Sequence, residues 1–237
     1  MPLFQLVDEL IFPHPLRADD DGLLAIGGDL SVERLLLAYS NGIFPWFSNG
    51  SPILWWFTHP RMVLFPDKMK ISASLKQTIN SKKFTVTFDQ CFREVIGNCA
   101  KAPRHGENGT WITPEIKEAY MKLHLEGYAH SVETWYEGEL AGGLYGVSLG
   151  RVFYGESMFF KVRDASKVAL FYLVQFLKSL DFMVIDAQQD TPHLRKLGAE
   201  LLPGREFLKI LEQSAKFPTL KGSWNNENET FTKIIKI

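Results

Sequence analysis

The sequence has little cysteine and no long hydrophobic run. Its 237 residues include two cysteines, Cys91 and Cys99, whose spacing fits no metal motif, so we expect free thiols of a reducing compartment. No apolar stretch approaches the roughly 20 residues that cross a bilayer. The first residues lack a basic segment followed by an apolar one, so no secretory signal is expected. We therefore expect a soluble cytoplasmic protein. The sequence also contains no internal repeat and no low-complexity tract.

The charged side chains are unevenly distributed, although the formal net charge is only −1. Residues 1–60 carry two basic and seven acidic side chains, whereas residues 61–104 carry nine basic and three acidic ones. A basic block in a near-neutral protein suits a limited contact with nucleic-acid phosphates. Lysines that merely keep a surface solvated produce the same pattern, and composition alone favours that simpler interpretation.

Hydrophobic periodicity predicts an α+β protein. From residue 84 the predicted order is strand, two helices, three antiparallel strands, helix, a strand of parallel type and helix. The GNAT acetyltransferase fold has the same order and holds an acyl donor beside a splayed central strand, but this is an analogy of fold alone. The main predicted elements are helices after Ser31 and Thr113 and over Ile71–Ile79, Phe92–Ala100 and Glu206–Ala215, and strands over Phe84–Phe88, His130–Tyr136 and Phe182–Gln188.

An aromatic cluster stands near the end of the first 60 residues. Trp46, Trp55 and Trp56 fall within eleven residues of one another. Aromatic side chains bury large areas, so core packing is one explanation. A platform on which nucleic-acid bases stack is the other, and the sequence leaves both open.

The stretch from Gly142 to Phe159 predicts two strands that turn near Gly150. Its other glycines are costly in strand interiors, so a bulge or a closely approaching ligand is expected. Glu156 stands within this apolar run, and Asp186 ends another apolar strand, with Gln188 on the same face. Because an unpaired buried carboxylate is costly, we expect each acid to have either a charged or hydrogen-bonding partner or a functional role. For Asp186 alone, a turn or helix-cap role is the simpler interpretation.

These motifs and several others resemble the leucyl/phenylalanyl-tRNA–protein transferase family. Asn-Gly-Ile-Phe-Pro-Trp-Phe (41–47) and Gly-Glu-Ser-Met-Phe (155–159) are examples, and the resemblance extends from about Phe12 to about Leu211 in the same order and spacing. Two departures stand out: Ala187 replaces a cysteine of some relatives, and Leu144 replaces a more usual methionine. The remaining matching motifs occupy residues 22–30, 53–56, 109–113, 130–133, 142–147, 165–167 and 186–188.

The resemblance implies a cytosolic bacterial enzyme of the N-degron pathway. Such an enzyme moves leucine or phenylalanine, and methionine less well, from aminoacyl-tRNA to the N-terminal arginine or lysine of a protein. It implies a small N-terminal α/β domain (1–62) followed by a GNAT-like domain (63–237). It also implies that neither a metal nor coenzyme A takes part.

The resemblance assigns roles to particular residues. Asp186 and Gln188 are the implied catalytic pair, with Glu156 holding either the aminoacyl amine or the basic end of the protein substrate. Whether Asp186 is the general base or orients Gln188 stays open. Trp46 and Trp111 are implied contacts of the terminal adenosine of the tRNA. The candidate apolar pocket for the aminoacyl side chain is Leu144, Phe153, Met158, Leu170, Leu173 and Ile185, and the candidate phosphate contacts are Lys76, Lys82 and Lys83.

Three other functions compete with this one. A coenzyme A-dependent acyltransferase would need a glycine-rich turn before the helix that begins near residue 165, but residues 161–167 contain no glycine and carry an acid. A non-catalytic binder of tRNA ends would leave Asp186, Gln188 and Glu156 without a task. A peptidoglycan aminoacyl-tRNA transferase usually has a duplicated domain, for which 237 residues leave no room.

Overall fold

The computed structural model describes residues 3–103 and 110–225. Arg104 of the basic block and Gly109 of the 109–113 motif lie outside these ranges. Within them the α-helices are α1 (Val32–Ser40), α2 (Ala73–Asn80), α3 (Phe92–Lys101), α4 (Pro114–Leu125), α5 (Ala165–Ser179), α6 (Pro192–Lys196) and α7 (Gly204–Ser214). The strands are β1 (Phe4–Leu6), β2 (Leu23–Gly27), β3 (Phe44–Pro45), β4 (Leu54–Trp56), β5 (Arg61–Leu64), β6 (Thr85–Phe88), β7 (Ala129–Tyr136), β8 (Glu139–Leu149), β9 (Val152–Phe160), β10 (Val184–Gln188) and β11 (Glu200–Leu202).

Helices α1 and α4 begin after Ser31 and Thr113, as the sequence predicts, and α2 and α6 begin after Ser72 and Thr191. The side-chain oxygens of Ser31, Ser72, Thr113 and Thr191 each accept the backbone N–H three residues on, at 3.2–3.3 Å. These bonds satisfy donors that a helix start otherwise leaves unpaired. The predicted elements are therefore confirmed, with boundaries that differ by no more than about two residues.

The first sheet is built from the N-terminal part of the chain, in the order β1-β2-β4-β3. Trp55 in β4 is fully buried, and its Nε1 donates to the carbonyl oxygen of Gly27 at 2.8 Å. Trp46 and Trp56 are partly buried and lie with their rings 5.5 Å apart. Core packing thus explains Trp55, whereas Trp46 retains an accessible face.

The second sheet has the order β11-β5-β10-β9-β8-β7-β6. Strands β6 to β9 pair antiparallel, while β10 lies parallel to β9 and antiparallel to β5. An antiparallel run joined through a helix to a parallel strand confirms the predicted α+β class and its GNAT-like element order. Arg61 and Met62 lie before the predicted domain boundary yet pair within this sheet; the division into 1–62 and 63–237 stays a prediction.

The two parallel strands separate near the middle of the large sheet. Pairing of β9 with β10 ends at Tyr154, opposite Asp186. Beyond this point β10 bends at Gln188, whose φ is 53°, and its register with β5 shifts. Strand β8 carries a bulge between Tyr145 and Gly146, as its glycines predict. The separation opens a cavity between the strands, as expected of a splayed central strand.

Replacing Gly146 by alanine tests the packing at the bulge. An added Cβ would clash with the carbonyl oxygen of Tyr154 and lie 2.5 Å from the ring of Phe153. Because backbone and a buried ring cannot withdraw freely, the unfolding free energy should fall by about 2–3 kcal/mol. Gly97→Ala is the matched control: its Cβ meets nothing within 4 Å, and alanine favours helix α3, so stability should not fall. Urea denaturation measures both, and equal unfolding free energies in the two variants would contradict the prediction.

Candidate active site

A cavity of about 350 Å³ lies where β9 and β10 separate. Its walls combine residues of the small sheet, around Phe44 and Trp46, with residues of β8, β9, β10 and α5. Trp111, which precedes α4, also lines it. All six residues predicted to form the side-chain pocket line this cavity: Leu144, Phe153, Met158, Leu170, Leu173 and Ile185.

The apolar part of the cavity follows from strand alternation and helix periodicity. Leu170 and Leu173 are three residues apart and therefore share one face of α5. Phe153 and Ile185 lie opposite each other in the parallel pair. The six residues are buried except for Met158, which is partly buried and whose flexible thioether adapts to different shapes. The wall can therefore accept an apolar side chain, aliphatic or aromatic.

Glu156 supplies the charge at the polar end of the cavity. Tyr39 Oη lies 2.7 Å from its Oε1 and Tyr120 Oη lies 3.1 Å from its Oε2, and the two tyrosine hydroxyls also contact each other. Three hydrogen bonds need three hydrogens, which the two hydroxyls and a protonated Glu156 together supply. Removal from bulk water raises the pKa of Glu156 to about 7, against the lowering effect of these hydrogen bonds. The carboxyl group can therefore both accept and return a proton near neutral pH.

Gln188 lies beside Glu156, and its side-chain amide can take two orientations, of which only the second satisfies both its nitrogen and its oxygen. In one, Nε2 donates to Glu156 Oε1 at 3.3 Å. In the other, Nε2 donates to the carbonyl oxygens of Gly155 (2.9 Å) and Ala187 (3.1 Å). The second orientation turns the amide oxygen towards Glu156, which suits a protonated carboxyl group because that group can donate. The amide orientation is thus linked to the protonation of Glu156.

Asp186 is fully buried and does not line the cavity. Arg61 binds it through two hydrogen bonds, Nε to Oδ1 at 2.8 Å and Nη2 to Oδ2 at 2.9 Å. Oδ1 also accepts the backbone N–H of Gln188 at 3.0 Å. Both carboxylate oxygens therefore bond to Arg61, and one of them also holds the backbone at Gln188. The sequence leaves open whether Asp186 is the general base or orients Gln188, and this geometry favours orientation.

Arg61 is the site residue that sequence reasoning places wrongly. The charge count groups it with a basic surface, but its side chain is completely buried. Its guanidinium lies about 5 Å from the centres of three phenylalanine rings and donates to the carbonyl oxygen of Gly42 and, at 3.2 Å, to Thr58 Oγ1. One clue was available, since an arginine opening the apolar strand Met62-Val63-Leu64 needs a buried partner.

Tyr39 and Tyr120 are also missed by sequence reasoning. Each belongs to the apolar face of its helix, α1 or α4, where the periodicity predicts core packing. Both are indeed fully buried, but their hydroxyl groups reach Glu156. Burial raises the pKa of both hydroxyls well above the ordinary value, so they remain protonated donors. No local pattern distinguishes them from other core tyrosines.

The remaining predicted residues lie away from the polar end. Lys76, Lys82 and Lys83 are exposed on α2 and in the turn after it, and they do not line the cavity.

Within the described ranges no group of three or more histidine, cysteine, aspartate or glutamate side chains could hold a metal ion. In the same part of the chain, no helix combines the length and apolar character needed to cross a membrane.

The raised pKa of Glu156 predicts a pH-dependent stability. Folding raises this pKa from 4.5 to about 7, so the stabilisation from the protonated carboxyl is complete below about pH 4.5 and is lost as pH rises through about 7. Glu156→Gln removes the titration while keeping the shape. Its unfolding free energy relative to wild type should therefore increase between about pH 5 and pH 8, by about 2 kcal/mol. Urea denaturation at the two pH values measures the difference, and a constant difference would refute the prediction.

The pair formed by Arg61 and Asp186 can be tested by a double-mutant cycle. Asp186→Ala leaves the guanidinium charged, buried and without its carboxylate, so we expect a loss of about 3–5 kcal/mol in unfolding free energy. Adding Arg61→Met removes the second charge and should recover part of that loss. Strict additivity of the two single changes, measured by urea denaturation, would show that the pair is not coupled.

Two family profiles match the chain. The profile described as leucyl/phenylalanyl-tRNA protein transferase matches residues 63–212, and the profile for the N-terminal domain of that transferase matches residues 28–59. Among solved structures, L-PGS from Bacillus licheniformis is 14% identical with a TM-score of 0.38 over 90% of this chain and 65% of its own. A GCN5-related N-acetyltransferase from Kribbella flavida is 10% identical with a TM-score of 0.31, covering 70% and 59%. Likeness this distant says nothing about activity.

Curated relatives are much closer, and each of those described next is named leucyl/phenylalanyl-tRNA–protein transferase. The relative from Desulfatibacillum aliphaticivorans is 56% identical over 97% of this chain and 98% of its own length. That from Maridesulfovibrio salexigens is 53% identical over 99% and 100%, and that from Myxococcus xanthus is 52% identical over 94% and 97%. Because both profiles match in order and the identity exceeds one half over almost the whole chain, the protein belongs to the leucyl/phenylalanyl-tRNA–protein transferase family.

Proposed function

We propose that this chain transfers leucine or phenylalanine, and methionine less well, from aminoacyl-tRNA to the N-terminal arginine or lysine of a protein. The α-amine nitrogen of the acceptor bonds to the aminoacyl carbonyl carbon, the ester bond to the terminal ribose breaks, and one proton moves from nitrogen to the departing oxygen. The observation that carries the proposal is Glu156 with Gln188 at one end of an apolar cavity that Trp46 and Trp111 also line, in a chain of this family.

The apolar wall receives the side chain of the transferred residue. Its six members are apolar, and the cavity volume of about 350 Å³ suits one amino-acid side chain with the atoms next to it. Such a wall discriminates between apolar side chains by only about 1–3 kcal/mol for each methylene group. Acceptance of both leucine and phenylalanine is therefore expected.

The tRNA end is held by stacking and by charge. Trp46 and Trp111 offer indole faces to the terminal adenosine, because stacking suits any base. The exposed Lys76, Lys82 and Lys83 contact acceptor-stem phosphates, which gives affinity without base specificity. Coenzyme A is a poor alternative donor, because the residue before α5 is Asp164, which pairs with Lys167 at 2.8 Å where a pyrophosphate would need free backbone donors.

Glu156 handles the proton of the reaction. An α-amine has a pKa of about 8, so part of it is neutral near neutral pH and can attack. The ionised carboxylate accepts the proton that the nitrogen loses, and the resulting acid protonates the ribose oxygen as it leaves. The same carboxylate attracts the cationic acceptor before reaction. Tyr39 and Tyr120 fix its orientation.

Gln188 contacts the reacting carbonyl, and Asp186 with Arg61 positions it. In the orientation in which Nε2 donates one hydrogen to Glu156, its second hydrogen can be donated to the oxygen that gains negative charge during attack. Asp186 acts through the backbone of Gln188 and is a positioning residue. Much of the rate then comes from holding two substrates in the correct geometry. The small domain (1–62) and the GNAT-like domain (63–237) each contribute one wall, and the modified proteins enter N-degron degradation in the cytoplasm.

A transfer assay tests the function and the role of Glu156 together. tRNA charged with radiolabelled leucine or phenylalanine is offered to an arginine-initiated peptide, and we expect label in the peptide. Glu156→Gln should lower kcat by about 10²–10⁴-fold, because the proton acceptor is lost, with little change in KM for the charged tRNA. Glu139→Gln, at an exposed position on β8, is the matched control and should retain full activity.

The outcomes of this assay separate two claims. Absence of label in the peptide with the wild-type protein would refute the transfer function. Normal kcat in Glu156→Gln, with transfer by the wild type intact, would remove Glu156 from the proton transfer and leave the function standing.

A further inference from the structure

The segment after α7 contacts several turns that adjoin strands of the large sheet. We call residues 216–225 the C-terminal strap; it lies beyond the profile match, which ends at residue 212. Thr219 Oγ1 accepts the backbone N–H of Gly150 at 3.0 Å. The guanidinium of Arg151 lies 5.4 Å from the ring centre of Phe217. These contacts tie the strap to the turn between β8 and β9.

A second set of contacts ties the strap to the turn before β7. The backbone N–H of Gly222 donates to the carbonyl oxygen of Gly127 at 3.1 Å, and the chains pass so closely that a Cβ on Gly127 would lie 2.7 Å from the Cα of Gly222. The backbone N–H of Trp224 donates to Asp89 Oδ2 at 2.6 Å. The position and direction of Trp224 are therefore set by hydrogen bonds on both sides of the strap.

Trp224 inserts its indole ring into the core behind the cavity. The side chain is 3% exposed and stacks on His130 with ring centres 3.6 Å apart and planes at 4°. The rings of Phe176, Phe153 and Phe182 lie at 4.9, 6.0 and 6.5 Å. An indole buries more area than any other side chain in this cluster, so its removal leaves a large cavity.

Phe153 connects this cluster to the candidate active site. It lines the apolar cavity, and Trp224 lies against its ring. The ring also lies over Gly146, close enough that a Cβ there would come within 2.5 Å of it. Held between β8 and the indole, Phe153 has no room to withdraw from the cavity.

We infer that Trp224 is a positioning residue that sets the depth of the aminoacyl side-chain pocket through Phe153. The inference rests on the proposed function and adds a determinant of its selectivity between leucine and phenylalanine. Without the indole, Phe153 can move back, which deepens the pocket. The larger phenylalanine side chain then gains room, while leucine loses contact with the wall.

The test measures kcat/KM for phenylalanyl-tRNA and for leucyl-tRNA with one arginine-initiated peptide. In Trp224→Leu the ratio of phenylalanine to leucine should rise about fivefold, which is within the range for methylene-scale fit. Trp224→Phe keeps a smaller ring at the position and should raise the ratio less, about twofold. This second variant also preserves the test if Trp224→Leu does not fold.

A matched control separates pocket depth from general loosening. Leu75→Ala removes a buried side chain of the same core cluster, on α2, that does not line the cavity; it should lower the melting temperature and leave the ratio unchanged. An unchanged ratio in the folded Trp224 variants, a shift towards leucine, or an equal shift in Leu75→Ala would each overturn the inference. Failure of the wild type to transfer either residue would instead refute the proposed function.

Discussion

The ion pair between Arg61 and Asp186 is the interaction on which the site depends. Both side chains are excluded from water, where an ion pair is tolerated only if its remaining donors and acceptors are also satisfied. Arg61 meets this condition by donating to Gly42, which lies between α1 and β3, and to Thr58, which follows β4. Asp186 meets it by bonding the backbone at Gln188. Thr58 in turn donates to the carbonyl oxygen of Gln188 at 3.0 Å. The same set of hydrogen bonds therefore fixes both the contact between the two sheets and the bend of β10 at Gln188.

The two carboxylates differ in role because their surroundings differ. Asp186 is held by two hydrogen bonds from Arg61 and in turn holds the backbone N–H of Gln188. Glu156 faces two tyrosine hydroxyls and a neutral amide, and burial without a neighbouring cation in contact raises its pKa to about 7. An acid whose surroundings raise its pKa towards neutrality is suited to proton transfer. Of the two acids, Glu156 lines the cavity, whereas Asp186, at the end of its strand, does not.

The cavity itself belongs to no single element. Its aromatic rim comes partly from the small sheet, its apolar wall from β8, β9, β10 and α5, and the support behind Phe153 from the C-terminal strap. Selectivity for an apolar side chain depends on the positions of the side chains that line the cavity. Because the core is closely packed, a residue outside the cavity can fix the position of one that lines it. This arrangement explains why the strap can influence substrate choice without touching the substrate.

The sequence by itself determined the helices, several of their caps and the strands from β6 to β10, because periodicity and capping act over a few residues and are visible in any chain. The candidate apolar residues of the cavity came from the resemblance to the family. It also placed Glu156 and Gln188 near the site through motifs. Only the tertiary structure decided that Arg61 is buried, that Tyr39 reaches Glu156 across 117 positions, and that Trp224 supports Phe153. These contacts depend on sheet register and on how one sheet lies against another, which no local pattern encodes. The role of a buried arginine, tyrosine or tryptophan depends on which residue the fold places in contact with it.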